Sequence, residues 1–179
     1  MTSRSEYRLL HRQDNADQRL THIGAEIGLV PQEQLRAVEE KYDRVRREIA
    51  RLEGSGVAAC EELNAMLEAK GSAPVVGSAR LADLIRRPQV SYEDIAPFDR
   101  QRPELSKAVT EEVEIQLKYA GYLARQEKQV AEFKREEARK IPEDMDYRAI
   151  AGLRLEAQEK LSTIRPVSVG QAGRISGVS

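Results

Sequence analysis

ELSKAVTEEVEIQLKYAGYLARQEKQVAEFKREEARK, residues 104–140, contains no proline and a single glycine, Gly121. A stretch so rich in Ala, Glu, Lys, Gln and Leu is helix-forming throughout. As one continuous helix it would extend about 50–55 Å at the standard rise. Its two halves are patterned differently. In the first, Val113, Ile115, Leu117, Tyr119, Tyr122 and Leu123 point in several directions about the axis, which predicts a shaft surrounded by neighbours. Beyond Arg125 only Val130, Phe133 and then Ile141 keep a narrow apolar stripe among charges, which predicts a solvated arm. Ile141-Pro142 ends it, because the residue before a proline is pushed out of the helical region.

Upstream, Pro31 suits the first turn of another helix, in which Leu35, Val38, Tyr42, Val45, Ile49 and Leu52 recur at alternating spacings of three and four. That is a heptad seam of about two and a half repeats, which fits a bundle helix burying one stripe rather than a dimerising coiled coil. Glu40 with Arg44, and Arg44 with Glu48, stand one turn apart on its polar face. Residues 14–28 predict a short helix, with Asp14 or Asn15 near the N-cap and Gly28 near the stop. Residues 2–13 alternate irregularly and read as extended. Residues 57–100 read as short helices and turns: one at 60–69, one capped by Ser78 that must stop before Pro88, and a capping-box pattern at Ser91 to Asp94. Downstream, 155–164 forms a helix through Ala157, Leu161 and Ile164, and a second capping box, Ser168 to Gln171, opens a short helix ending near Gly177. The fold class is therefore all-α: an elongated helical domain with one long central helix (about 104–140). The main domain spans 29–141 and a small C-terminal helical subdomain spans 142–179.

Composition agrees. Charged residues make up 33% and aromatics 4%, with no Trp, which suits thin helical packing rather than a β-sandwich or barrel. A net charge of −1 supplies no global attraction for nucleic acid, so such binding must come from local asymmetry. The lone Cys60 excludes an intramolecular disulfide and a cysteine-based zinc site, and fits a reducing compartment. His11 and His22 are too isolated for a metal cluster. No run approaches the roughly 18 apolar residues of a membrane span, and no signal peptide opens the chain, so the expectation is a cytoplasmic protein. There is no nucleophile elbow, phosphate-binding glycine loop, CxxC or paired-histidine motif. Asp14 and Asp17 read as helix-start acids, and Glu111, Glu112 and Glu114 as an acidic first half-turn or a solvated face. The chain by itself is not expected to be catalytic.

The basic residues are the candidates. Arg4, Arg8 and Arg12 share one face whether the segment is helix or strand, with Arg19 close behind. Planar guanidinium forks suit phosphate, while the competing reading pairs them with Glu6, Asp14 and Asp17. From Lys160 to the end stand three cations (Lys160, Arg165, Arg174) and no acid. Arg174 lies among Gly170, Gly173 and Gly177, where small residues permit close approach of a partner or simply start and stop helices. Arg86 and Arg87 complement a helix end, and Tyr119 and Tyr122 fit core packing better than base stacking.

Three ordered blocks carry a family resemblance: TSRSEYRLLHRQDNADQRLT at 2–21, EVEIQLKYAGYLARQ at 112–126 and IRPVSVGQAGRISGV at 164–178. In that order they resemble the carboxy-terminal part of the MnmG/GidA family, FAD-dependent enzymes that install aminomethyl groups on the wobble uridine of certain transfer RNAs. The resemblance implies that residues 1–28 are the end of the flavin domain and a linker, that Met1 was added by cloning, and that the chain stops before a final helix. It implies no cofactor in this stretch, FAD in the parent enzyme, a homodimeric parent, and two partners: transfer RNA and the MnmE/TrmE-type GTPase. Carried onto matching positions, it implies transfer-RNA contacts at Arg4, Arg8, Arg12, Arg19, Lys118, Arg125 and Arg174, and partner contacts at Gly170, Gln171, Arg174 and Ile175. The alternative is a protein-interaction or structural helical module with no RNA contact of its own. His11, Ala120, Arg154 and Gly173 depart from the family pattern, and the last two put the local geometry around 155–164 and Arg174 in doubt.

Overall fold

The computed structural model describes residues 7–178. It is mostly helical and divides into two compact units, the boundary falling between Leu123 and Ala124. The first unit holds α1 (Ala16–Glu26), α2 (Gln32–Gly54), β1 (Gly56–Ala58), α3 (Glu61–Ala69), β2 (Ser78–Arg80), α4 (Leu81–Ile85) and the start of α5 (Lys107–Ala138).

The seam of α2 behaves as its spacing predicts. Tyr42, Val45 and Leu52 are buried and Leu35, Val38 and Ile49 are half-buried, with α1 packed against the helix. The core continues through Leu63 and Leu67 of α3, Leu81, Leu84 and Ile85 of α4, the loop residues Val90, Tyr92 and Ile95, and Val109, Val113 and Leu117 of α5. A heptad acid expected to pair with Arg44 is diverted into this core. Glu48, 3% exposed, accepts from the Tyr92 hydroxyl (2.7 Å) and from the Arg51 guanidinium (2.7 and 2.9 Å). Arg51 also donates to Asp99 (2.9 Å), so one cation neutralises two buried carboxylates across the unit. Those bonds raise the Arg51 pKa, the Glu48 bond contributing most.

Several local readings change. β1 and β2 form an antiparallel ribbon with Val57 opposite Ala79, where only helices and turns were expected. Three-residue strands are too short to show a period of two. Ser78 therefore sits in β2, and α4 starts at Leu81 with Arg80 at its N-cap. The first half of α5 is not surrounded: Val109, Thr110, Glu112, Val113 and Leu117 are buried, but Tyr119 and Tyr122 are exposed. The Ser91 box forms, Asp94 accepting from the Ser91 backbone N–H (2.7 Å) and Ser91 Oγ accepting from that of Asp94 (3.3 Å). Residues 8–10, expected to be extended, make a 3-10 turn. Leu20 and Ile23 of α1 and the following Ile27 and Leu29 are exposed.

The second unit contains the distal part of α5, a 3-10 turn at Tyr147–Ala149, α6 (Leu155–Ile164) and α7 (Val169–Gly173). Its core is small: Tyr147, Ala157 and Leu161. The chain from 139 to 141 is bonded to that from 167 to 169, Ile141 N–H donating to Val167 (3.1 Å) and Val169 N–H to Arg139 (2.9 Å). The short helix ends at Gly173 rather than near Gly177, leaving Arg174 as its C-cap. No helix among the described residues is long and apolar enough to cross a membrane.

Candidate nucleic-acid interface

Availability, more than position, separates the candidate cations. Arg4 lies outside the described residues. Arg8 is exposed in the 3-10 turn preceding α1. Arg12 is turned inward, its side chain only 13% exposed: it grips Asp14 bidentately (2.8 and 3.0 Å), donates to the Leu9 carbonyl (2.8 Å) and lies 5.0 Å over the Tyr119 ring. Arg19 donates to Asn15 Oδ1 (2.9 Å) and the Arg12 carbonyl (3.4 Å). Arg12 and Arg19 thus tie residues 9–15 to the start of α1, and Arg12 does not share the exposure of Arg8.

The same neighbourhood carries titratable groups with shifted pKa values. Burial alone would raise the Asp17 carboxyl, but the Lys41 ammonium (2.7 Å) and Tyr42 hydroxyl (2.6 Å) hold it below its ordinary value. Burial pushes Tyr42 upward, and Asp17 adds to that shift. Glu112, 4% exposed, is raised by burial even though Gln116 donates to it (2.9 Å). Asp17 is therefore more than a helix-start acid, and Glu112 is not on a solvated face. Asp17, Lys41 and Tyr42 bond one another and so fasten α1 to α2, whereas Glu112 bonds Gln116 within α5. Asp17 and Tyr42 also line a cleft of about 230 Å³ with Thr21, His22 and Leu35.

Lys118 of α5 is also engaged, with Glu114 (2.7 Å) and the Pro88 carbonyl (3.3 Å). In the second unit Arg125 is exposed, and among the described residues it makes no ion pair. Arg174 pairs with Glu137 and lies 5.3 Å over the Phe133 ring, half of its side chain remaining exposed. The glycine spacing there serves internal packing first. Gly170 is buried, and a Cβ added to it would come within 3.0 Å of the Glu137 backbone nitrogen. Gln171 N–H donates to Ser168 Oγ (3.1 Å), while its side-chain oxygen accepts from Val167 N–H (2.7 Å), so the capping box reaches one residue further back than usual. Ile175 is half-buried. The other tail cations are occupied as well. Lys160 bonds Glu156 (2.6 Å) and the Ser176 carbonyl (2.7 Å), and Arg165 bonds the Glu143 and Met145 carbonyls (3.1 and 2.9 Å).

The described residues contain no group of acids, histidines or cysteines able to hold a metal ion. A cavity of about 680 Å³ is walled by residues 54–60, Leu81 and residues 97–101.

Comparison with known proteins gives these features a context. The profile of the tRNA modifying enzyme MnmG/GidA C-terminal helical domain matches residues 32–127, and that of the MnmG/GidA C-terminal helical bundle matches residues 129–179. The tRNA uridine 5-carboxymethylaminomethyl modification enzymes MnmG of Lachnoclostridium phytofermentans and Caldicellulosiruptor saccharolyticus are each 50% identical over the whole chain. The chain spans 28% and 29% of their respective lengths. Among solved structures, Aquifex aeolicus GidA superposes with a TM-score of 0.64 in its form II crystal, at 36% identity over 98% of this chain and 27% of that one. Its form I crystal gives a TM-score of 0.61 at 37% identity, over 99% of this chain and 26% of that one. The chain belongs to the MnmG/GidA family, as its C-terminal helical domain.

Proposed function

We propose that this chain is the recognition end of an FAD-dependent enzyme that modifies the wobble uridine of transfer RNA, contacting both the RNA and an MnmE/TrmE-type GTPase. The observation that supports this most is the match of two successive family profiles across residues 32–179, both described as parts of a tRNA modifying enzyme. The flavin chemistry of the homodimeric parent is assigned to the rest of that enzyme, since this chain spans 28% of a relative's length. Arg8, Arg125 and the exposed half of Arg174 are the sequence-nominated cations best placed to meet phosphate, and Arg4 belongs with Arg8 by sequence. Arg12, Arg19 and Lys118 contribute by holding the surface in shape. Gln171 and Ile175 border Arg174 on the side offered to a protein partner, and Gly170 sets the approach of α7 to α5.

A second reading, a protein-interaction or structural module without RNA contact, draws on the net charge of −1 and on the internal engagement of Arg12, Arg19, Lys160 and Arg165. Titration of the chain with an unmodified wobble-uridine transfer RNA at low and near-physiological salt separates the two. Micromolar binding that weakens steeply with salt is expected. Absence of binding at low salt refutes the RNA contact and leaves the GTPase as the partner.

A further inference from the structure

We infer that the outer face of α5, carrying Arg125, Lys128 and Arg135, is a phosphate-binding stripe for RNA. This rests on the reading that the chain contacts transfer RNA, and it relocates the contact away from the acid-free tail. At about 100° per residue, Lys128 and Arg135 fall on the side of α5 opposite Val130, Phe133 and Glu137, with Arg125 flanking them. The packed face is the one the tail covers: Val130, Phe133 and Glu137 are half-buried, Arg174 lies over Phe133, and Gly170 abuts Glu137. The opposite face is uncovered. Arg125, Lys128 and Arg135 are all exposed, and among the described residues none is in an ion pair, whereas Lys160, Arg165 and Arg174 of the tail are all bonded within the unit.

The composition of the face selects its partner. Its remaining residues are Ala124, Ala131 and Glu132, so it presents no large apolar or aromatic group. Stable protein interfaces centre on such groups and are depleted in lysine and glutamate. A row of cations without an apolar anchor instead suits a phosphate backbone, which is bound through charge and counterion release. From Arg125 to Arg135 the row runs about 15 Å along the helix. The same arrangement marks Glu132 as the one acid opposing the ligand.

The test uses the full chain and an unmodified wobble-uridine transfer RNA over a salt series, with folding checked by circular dichroism. The triple variant Arg125→Gln, Lys128→Gln, Arg135→Gln should lower the slope of log K against log salt by about two to three, at roughly 0.7–0.9 per phosphate contact. Glu132→Lys should steepen the slope by about one and tighten binding. If the wild-type chain binds RNA and the triple variant titrates identically, this face is not the contact, although the RNA reading stands. If the wild-type chain does not bind at low salt, both fall. If the triple variant loses a purified GTPase partner but keeps the RNA, the face belongs to that protein and the inference is overturned.

Discussion

Replacing Arg51 with methionine should be the most damaging single change in the first unit, and the structure says by how much. Methionine keeps most of the apolar stem and removes only the guanidinium. That guanidinium serves Glu48 and Asp99, whose side chains are each 3% exposed, while its own is 21% exposed. Without it Glu48 keeps only the Tyr92 hydroxyl as a donor from outside its helix, and Asp99 keeps the Gln101 backbone N–H (3.3 Å). Stranding buried charges by deleting their partner costs about 3–5 kcal/mol, a large share of the roughly 5–15 kcal/mol that stabilises a domain. A fall in melting temperature of roughly 10 °C or more follows for a unit of this size. Hydrogen exchange of α2 amides reads this unit without interference from the other. A loss below about 1 kcal/mol would refute the view that Arg51 holds two buried acids.

Two further changes probe the other contacts. Gly170→Ala should cost about 1–3 kcal/mol by overpacking α7 against the Glu137 backbone, seen as faster exchange of amides 167–175, whereas wild-type protection would show that the tail can shift away. Glu112→Gln should raise the melting temperature at neutral pH. Burial lifts the Glu112 pKa above its ordinary 4.5, so its ionised form opposes folding as pH rises through the folded value. The gain should vanish below about pH 4, where both states are protonated; a variant less stable at pH 7 would contradict this.

Long periodic elements were legible and short ones were not. α2 and α5 declare themselves because an apolar stripe repeated over several turns has few alternative interpretations. The β1–β2 ribbon left no such trace, since four of the six residues in Gly56-Val57-Ala58 and Ser78-Ala79-Arg80 are small, and β2 packs against α2 and α4, contacts that spacing along either strand does not reveal. The exposure of Tyr119 was misread for a related reason. Its ring is part of the polar anchoring of Arg12, a partner more than a hundred positions earlier that spacing along α5 does not reveal. Buried acids such as Glu48 and Glu112 were hidden by their type, because a glutamate on a helix is normally solvated and only tertiary packing withdraws it.

The same physics explains why the cations named from sequence differ from those the structure leaves available. A run without acids looks electropositive only if charge is counted along the chain. Arg174 meets Glu137, 37 positions away, and Arg165 spends its donors on carbonyls 20 and 22 positions away. Loop and tail cations must find such partners, because the backbone carbonyls around them lack helical ones. A cation on the uncovered face of a long helix is in the opposite situation. Its backbone is satisfied and its side chain is exposed, so neighbours three and four residues away are the ones that compete for its charge. Arg125 has no acid three or four residues away, and for Lys128 and Arg135 that competitor is Glu132, which is why replacing this one acid is as informative as removing the cations.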